Sequence, residues 1–354
     1  MAQEQYNRWS YDTFIGIDVH KRSFSCTVRD FGTLAQRARM PSDPETFFHY
    51  LQKFNKNRKV VCAYEAGPTG FHLYDYLTDR QIPCYITSPA SIPRPSNERV
   101  KTDRIDSVKL VEYLMSGRFK PIRVPQGPYR ELRHLVKAYD RYSAQRKTTK
   151  QRIKALLLYT HVDAALPDPE ARWSGQYLQD LGKVRCSPAI RHRLDFLLED
   201  LTYARSQIAR THRLIRAFCR HHSEIADYMG YLQSIPGIGF ITAFTILGRI
   251  GDPTGLVDQR EFAAFLGLTP REGSSGDRIV KGSITHLGDK RLRSLLVEAA
   301  WITIQRDTQL QQFYYRIHQR HYGAHASKIA ITAVARKLTQ IIYRVLKDRR
   351  PYHP

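Results

Sequence analysis

Hydrophobic and polar positions divide the chain into three stretches of different rhythm. Up to about residue 120, short apolar runs alternate with segments of helical spacing. TFIGIDV (13–19) and VVCAYE (60–65) are nearly unbroken apolar runs rich in β-branched residues, the pattern of strands covered on both faces. SFSCTVRD (23–30) alternates with period two, as a strand with one wetter face does, and a third strand is expected after Gly32. PCYIT (83–87) reads as another strand, and 43–54, 70–77 and 103–114 read as helices. Three early strands followed by strand–helix alternation predict a mixed α/β sheet covered by helices. The stretch 88–97 carries Pro89, Pro93 and Pro95 and is expected to be a loop.

From about Gly127 to His222 the spacing becomes helical throughout. Leu132, Leu135, Tyr139 and Tyr142 recur at helical intervals, as do Leu194, Leu197, Leu198, Leu201 and Ile208. A break with Pro167, Pro169 and Gly175 separates the two sets. This predicts two long amphipathic helices, paired as an antiparallel or an intermolecular coiled coil. After Tyr228 the pattern is compact and mostly helical, punctuated by Gly237, Gly239, Gly251 and Gly267. The uncharged run 228–248 is long enough for a bilayer, but it contains Gln233, Ser234 and Pro236 and is expected to be a buried hairpin. The first ten residues lack the apolar stretch of a signal peptide, so a cytoplasmic, nucleoid-associated protein without membrane partners is expected. The expected domains are 1–122, 123–226 and 227–354.

Charge sharpens this picture. The 354 residues hold 56 Lys and Arg against 33 Asp and Glu, a net charge of +23. Such an excess repels itself unless a polyanion neutralises it, and nucleic acid is the natural one. Residues 130–220 alone carry 19 basic and 9 acidic side chains. The helical middle is therefore either a spacer or a dimerisation and nucleic-acid-binding arm, the second with Arg146, Lys147 and Lys150 among its contacts. The five cysteines form no CxxC pair, so neither a zinc site nor a disulfide framework is indicated.

Four acids fall on elements that can converge. Asp18 ends the first strand in GIDVHK, and Glu65 ends another in YEAGPTG. Asp103 and Asp106 stand at i and i+3 in KTDRIDS, on one face of a helix starting there. Oxygen-only ligands suit Mg²⁺, with Mn²⁺ as a substitute, rather than zinc. Taken singly, each acid is as well explained as a turn residue or a helix cap; the order and spacing of the four resemble the RuvC-like branch of the ribonuclease-H fold. His20, beside Asp18, reads as a solvated or core histidine.

Two C-terminal motifs remain open on the residues alone. SIPGIGFITAFTILGRIG (234–251) resembles a helix-hairpin-helix whose PGIG turn, through Gly237 and Gly239, either receives a phosphate or merely joins two core helices. In 261–301, apolar runs flank a polar, glycine-rich loop with Ser274, Ser275 and Ser283 beside Arg271, Arg278 and Lys281. A serine there could approach a phosphate while the cations stabilise the developing charge; most such serines only make turns.

In combination the motifs say more. GIDVHK, YEAGPTG, KTDRIDS, SIPGIG and FAAFLGLTPREGSSG…KG…LR resemble, in the same order and over nearly the whole chain, the DEDD transposases of the IS110 insertion-sequence family, to which Piv-type DNA invertases are related. The resemblance implies a RuvC-like domain, a helical coiled coil and a mostly α C-terminal transposase domain. It implies Mg²⁺ on Asp18, Glu65, Asp103 and Asp106, and a nucleophile at Ser275 that forms a transient phosphoserine bond to DNA. It also implies donor and target DNA as substrates, a structured bridge RNA as guide, and a tetramer of two dimers with sites shared between protomers. The chain departs from the usual pattern at YEAGPTG, Ser107 and IVKG, none of which removes an acid or the serine. Two other readings compete: a RuvC-like junction nuclease using metal-activated water, and a non-catalytic nucleic-acid scaffold.

Overall fold

The apolar run 13–19 forms β1 (Thr13–Val19), the centre of a five-stranded sheet. It is flanked by β2 (Ser23–Asp30) and β3 (Ala35–Pro41) on one side, and by β4 (Val60–Glu65) and β5 (Cys84–Thr87) on the other, in the order β3-β2-β1-β4-β5. β1, β2 and β3 pair antiparallel, whereas β1, β4 and β5 are parallel. The computed structural model describes residues 6–32, 34–55, 58–92, 103–162, 173–256, 258–275, 278–285, 287–323 and 325–353, with backbone alone at 103–105, 271–275, 278–281 and 283. The expected loop at 88–97 is described to residue 92, as a 3₁₀ turn over Pro89–Ser91; 93–97 lie outside the described residues.

The central strands are apolar on both sides because both are covered. Ile15, Ile17, Cys62 and Tyr64 face a core built with α1 (Pro44–Asn55) and α2 (His72–Thr78). Phe14, Val61 and Ala63 face the opposite core, built with α3 (Asp103–Met115). Gly16 lies on that second face, and a Cβ there would run into the Ser107 carbonyl and come within 2.6 Å of the Val111 nitrogen. Only glycine lets α3 settle this low. Ser107 completes the contact by pairing its hydroxyl with that of Thr27, 2.9 Å away and buried, on the neighbouring β2. Gly16→Ala should therefore lift the helix and cost roughly 1–3 kcal/mol, the usual range for overpacking. Urea unfolding checks this as a lowered midpoint at unchanged slope.

The remaining residues form a second unit, 125–354, distinct from 1–124. It opens with α4 (Gly127–Thr160), continues through α5 (Gly175–Lys183), and returns along α6 (Pro188–His221). Leu132, Val136 and Tyr139 of α4 share a core with Ile208 and Ile215 of α6. Ile153, Leu156 and Leu157, at the other end of α4, share one with Leu194 and Leu201. The two long helices therefore pair antiparallel within one chain, which resolves the choice left by their periodicity. Gly175, expected in the break, instead begins α5, where the Ser174 hydroxyl accepts from the Tyr177 N–H as an N-cap; Pro167 and Pro169 lie outside the described residues.

The chain then folds into α7 (Ser223–Gln233), α8 (Phe240–Ile250), α9 (Gln259–Phe265), the hairpin β6 (Pro270–Ser275) and β7 (Arg278–Ile284), α10 (Lys290–Thr303), α11 (Thr308–His318) and α12 (Ala326–Asp348). The uncharged run 228–248 is a helix–turn–helix in the core, and no helix among the described residues is long and apolar enough to cross a membrane. Its helices share one core with the base of α4 and α6, and Gly248 admits the Val136 side chain to 2.5 Å of where a Cβ would stand.

Candidate active site

Three elements bring the four acidic positions to one end of the sheet. The parallel ladder between β1 and β4 ends at Ile17 opposite Tyr64, so Asp18 and Glu65 follow side by side. Two residues before them, Gly16 and Ala63 face α3, and strand alternation puts Asp18 and Glu65 on that same face. The direction of α3 supplies the third. Its last turn meets the residues ahead of β1, where the Tyr6 hydroxyl donates to the Leu114 carbonyl (2.7 Å) and Arg8 to the Met115 carbonyl (3.0 Å). The helix therefore runs against β1, and its first turn, with Asp103 and Asp106, lies toward the strand end that carries Asp18.

Asp18 keeps 17% of its side chain exposed and accepts a hydrogen bond from His20 Nε2 at 3.0 Å. His20 is solvated, one of the two readings its sequence position allowed, with 48% of its side chain exposed, and it is also a partner of the first acid. Asp106 and Glu65 are half-buried, while the Asp103 side chain lies outside the described residues. Among the described residues no three His, Cys, Asp or Glu side chains gather closely enough to share one ion. The donor chemistry is nonetheless uniform: carboxylate oxygens at the mouth of a sheet, with no thiolate, fit a hard divalent cation.

Ser275 belongs to the second unit. The segment expected as a glycine-rich loop is a β-hairpin in which Ser275, last in β6, pairs with Arg278, first in β7. Ser274 pairs with Ile279 and Glu272 with Lys281, with an irregularity between Pro270 and Glu272 that takes in Arg271; Ser283 lies in β7. Cross-strand pairing overrides the local turn preference of Gly and Ser. Side chains of Arg271, Ser274, Ser275, Arg278, Lys281 and Ser283 lie outside the described residues.

The hairpin has a firmly built root. Gly267 (φ +70°) and Gly288 (φ +90°) cross there, and a Cβ at Gly288 would stand 2.6 Å from the Phe265 carbonyl oxygen. Arg293 donates to the carbonyls of Gly267 (3.3 Å) and Leu287 (3.2 Å), pinning both legs. Asp289 caps α10 through the N–H groups of Arg291 and Leu292, and also accepts from Arg249 of α8 at 2.9 Å. The second arm of the same guanidinium donates to Asp140 of α4 at 2.5 Å, and Asp140 accepts again from Arg291 at 3.0 Å. Neither Arg249 nor Asp140 was singled out from sequence. Nothing in their local spacing reveals a network joining residues 140, 249 and 289.

At the PGIG turn, Gly237 (φ +88°) lies against the Ala299 carbonyl of α10, while Gly239 is exposed as the N-cap of α8. On the arm, Lys147 is exposed and the Lys150 ammonium lies 5.0 Å over the Trp173 ring. Burial, and then the neighbouring Arg146, Arg205 and Lys154, hold the Lys150 pKa below its ordinary value. Lys154 continues the i, i+4 series of 146 and 150 and could have been read from sequence. Arg205 joins only once α6 is known to return alongside α4. A lysine whose charge is disfavoured by three neighbouring cations is a setting an anion relieves.

Residues 15–162 match the profile of the IS110-type DEDD transposase domain, and 229–315 that of the IS116/IS110/IS902 transposase family. The chain is 26% identical, over 96% of its length and 90% of the relative's, to y4qE of Sinorhizobium fredii, whose name assigns it provisionally as a transposase. It is 22% identical, with the same shares covered, to the transposase for insertion sequence element IS1111A of Coxiella burnetii. It is 25% identical, over 96% of its own length and 97% of the relative's, to the pilin gene-inverting protein of Moraxella bovis.

Proposed function

For a chain that belongs to the IS110/IS116 family of insertion-sequence transposases, and is therefore a DNA transposase or recombinase, we propose that four acids and one serine carry strand cleavage and rejoining. The observation that carries this reading is the meeting of the β1 end, the β4 end and the first turn of α3 at one mouth of the sheet. The strand order, three antiparallel strands and then two parallel, supports a RuvC-like fold for residues 1–122. Asp18, Glu65, Asp103 and Asp106 are the residues that would hold Mg²⁺ or Mn²⁺. When bound, the cation supplies Lewis-acid stabilisation of charge building on phosphate oxygens.

Ser275 Oγ attacks the scissile phosphorus. The O–H bond of the serine and the phosphorus–oxygen bond to the departing strand break, a phosphoserine ester forms, and the freed strand oxygen takes up a proton. The reverse attack by a strand hydroxyl rejoins DNA without an external energy source. Arg271, Arg278 and Lys281 lie on the same hairpin as cations for the crowded phosphorane, while the local sequence offers no general base. The acids belong to the first unit and the serine to the second. We place them in one composite site, the first unit coming from one protomer and the hairpin from another, within a tetramer of two dimers. The basic helical middle (123–226), with Arg146, Lys147 and Lys150, holds a structured bridge RNA. The C-terminal domain (227–354) engages donor and target DNA, with Gly237 and Gly239 in the turn ahead of α8.

Mixed protomers test this. Ser275→Ala and Asp18→Asn chains should each be inactive alone and should recover cleavage when combined, because one composite site then holds all five residues. Failure to complement, with both chains folded and binding DNA, sinks the shared site. Cleavage by Ser275→Ala alone would instead favour the metal-activated-water nuclease.

A further inference from the structure

Exposed apolar side chains concentrate in a place the proposed chemistry does not use. Of the fourteen large ones exposed among the described residues, five fall between 301 and 329: Trp301 (41%), Ile302, Tyr315 (54%), Tyr322 (95%) and Ile329. Two of them, Trp301 and Tyr315, belong to a continuous row of rings. Trp301 of α10 lies 5.9 Å from Tyr314 of α11, whose ring contacts Tyr315 at 5.4 Å and stacks on His318 at 5.7 Å. His318 in turn reaches Ser327 of α12 at 3.2 Å, tying the row to a third helix.

The charge around it is one-sided. Arg306, Arg316, Arg320 and Lys328 are all exposed, whereas Asp307, the one carboxylate in the sequence from 301 to 329, is 3% exposed. Asp307 is committed to capping α11 through the Leu310 N–H and to the Tyr352 hydroxyl. Glu298, one turn ahead of Trp301, marks where this one-sided surface stops. Exposed rings interleaved with permanent cations match a ligand that carries flat apolar faces on a polyanionic backbone. A duplex hides its base faces in the stack; a single strand offers them.

We infer that the surface formed by the end of α10, α11 and the start of α12 is a stacking platform for unpaired DNA, the stretch of strand opened when the duplex is cut and exchanged. Trp301, Tyr315 and Tyr322 stack on bases, and Arg316 and Arg320 face phosphates. None of these residues is one of the four acids or Ser275, and the inference stands whether or not those assignments do.

The chain has three tryptophans, so a Trp9→Phe, Trp173→Phe background leaves Trp301 as the sole tryptophan to excite selectively. Oligothymidylate should quench its fluorescence, and blunt duplex of equal length should not. In the full chain, Tyr315→Ala and Tyr322→Ala should each weaken oligothymidylate binding roughly five- to hundredfold and duplex binding by less than about twofold, from the usual worth of stacking one base on one ring. Tyr315→Phe, which keeps the ring, should bind as the parent does. Equal losses on duplex, quenching by oligouridylate but not oligothymidylate, or altered sedimentation with oligothymidylate binding intact would each overturn the proposal. The last would mark the surface as a contact between copies of the chain.

Discussion

Ser275→Ala is expected to bind DNA as the parent chain does and to leave no covalent protein–DNA adduct on a denaturing gel. A serine hydroxyl is a poor nucleophile near neutral pH, so its setting must supply activation; without the oxygen there is nothing to activate. Removing a nucleophile from a working site commonly costs on the order of 10⁴- to 10⁶-fold in rate. The hairpin sharpens the controls. Ser274 pairs with Ile279 and Ser275 with Arg278, and consecutive residues of a strand stand on opposite faces. Ser274 therefore cannot take the place of its neighbour, and neither can Ser283, seated in the other strand. Ser274→Ala and Ser283→Ala should keep at least partial adduct formation. Should Ser275→Ala keep the adduct while either control loses it, the nucleophile has been misassigned.

Asp18→Asn and Asp106→Asn are expected to reduce cleavage about a thousandfold or more, several kcal/mol of transition-state stabilisation. The substitution preserves volume and removes one negative charge, so it separates chemistry from packing. Asp18 is not deeply sealed, and its partner His20 is about half exposed, so little of the fold depends on that charge. Thermal melts should stay within a few degrees of the parent, consistent with a stability change of about 1 kcal/mol or less. If both Asn chains recombine DNA at the parent rate, the acids are caps and turn residues. If both melt early, Asp18 and Asp106 serve the fold instead.

The sheet and its helices were legible because buried parallel strands announce themselves. Thr13–Val19 and Val60–Glu65 must be apolar on both faces, which leaves unbroken runs that no amphipathic helix shares. With those strands placed, Asp18 and Glu65 fell at their ends by counting, and the i, i+3 pair Asp103 and Asp106 fell at a helix start. The hairpin was not legible. PREGSSGDRIVKGSI has the composition of a turn-rich loop, and its strands exist through pairing with each other and through a root fixed by residues 267, 288 and 293. The pairing of α4 with α6 was half legible: periodicity marked the buried stripe on each helix but not the partner. That depended on Tyr139 stacking on His212 across the fold, a long-range match that a local window does not contain.

The helical arm is built as two cores in series, and this gives it a joint. By helix rise, the 34 residues of α4 extend about 51 Å. Near its base the arm is welded into the C-terminal core through Val136, Tyr139 and Ile215. Farther out, a separate small cluster around Ile153, Leu181 and Leu194 closes its free end. Cooperative units follow contiguous burial, so the outer cluster can open and close while the base stays shut. The arm then behaves less as a rod than as a forearm on a fixed elbow. A guest gripped at the outer end changes that end's order first, while the base, where Asp140 holds Arg249, joins α4 to the root of the hairpin.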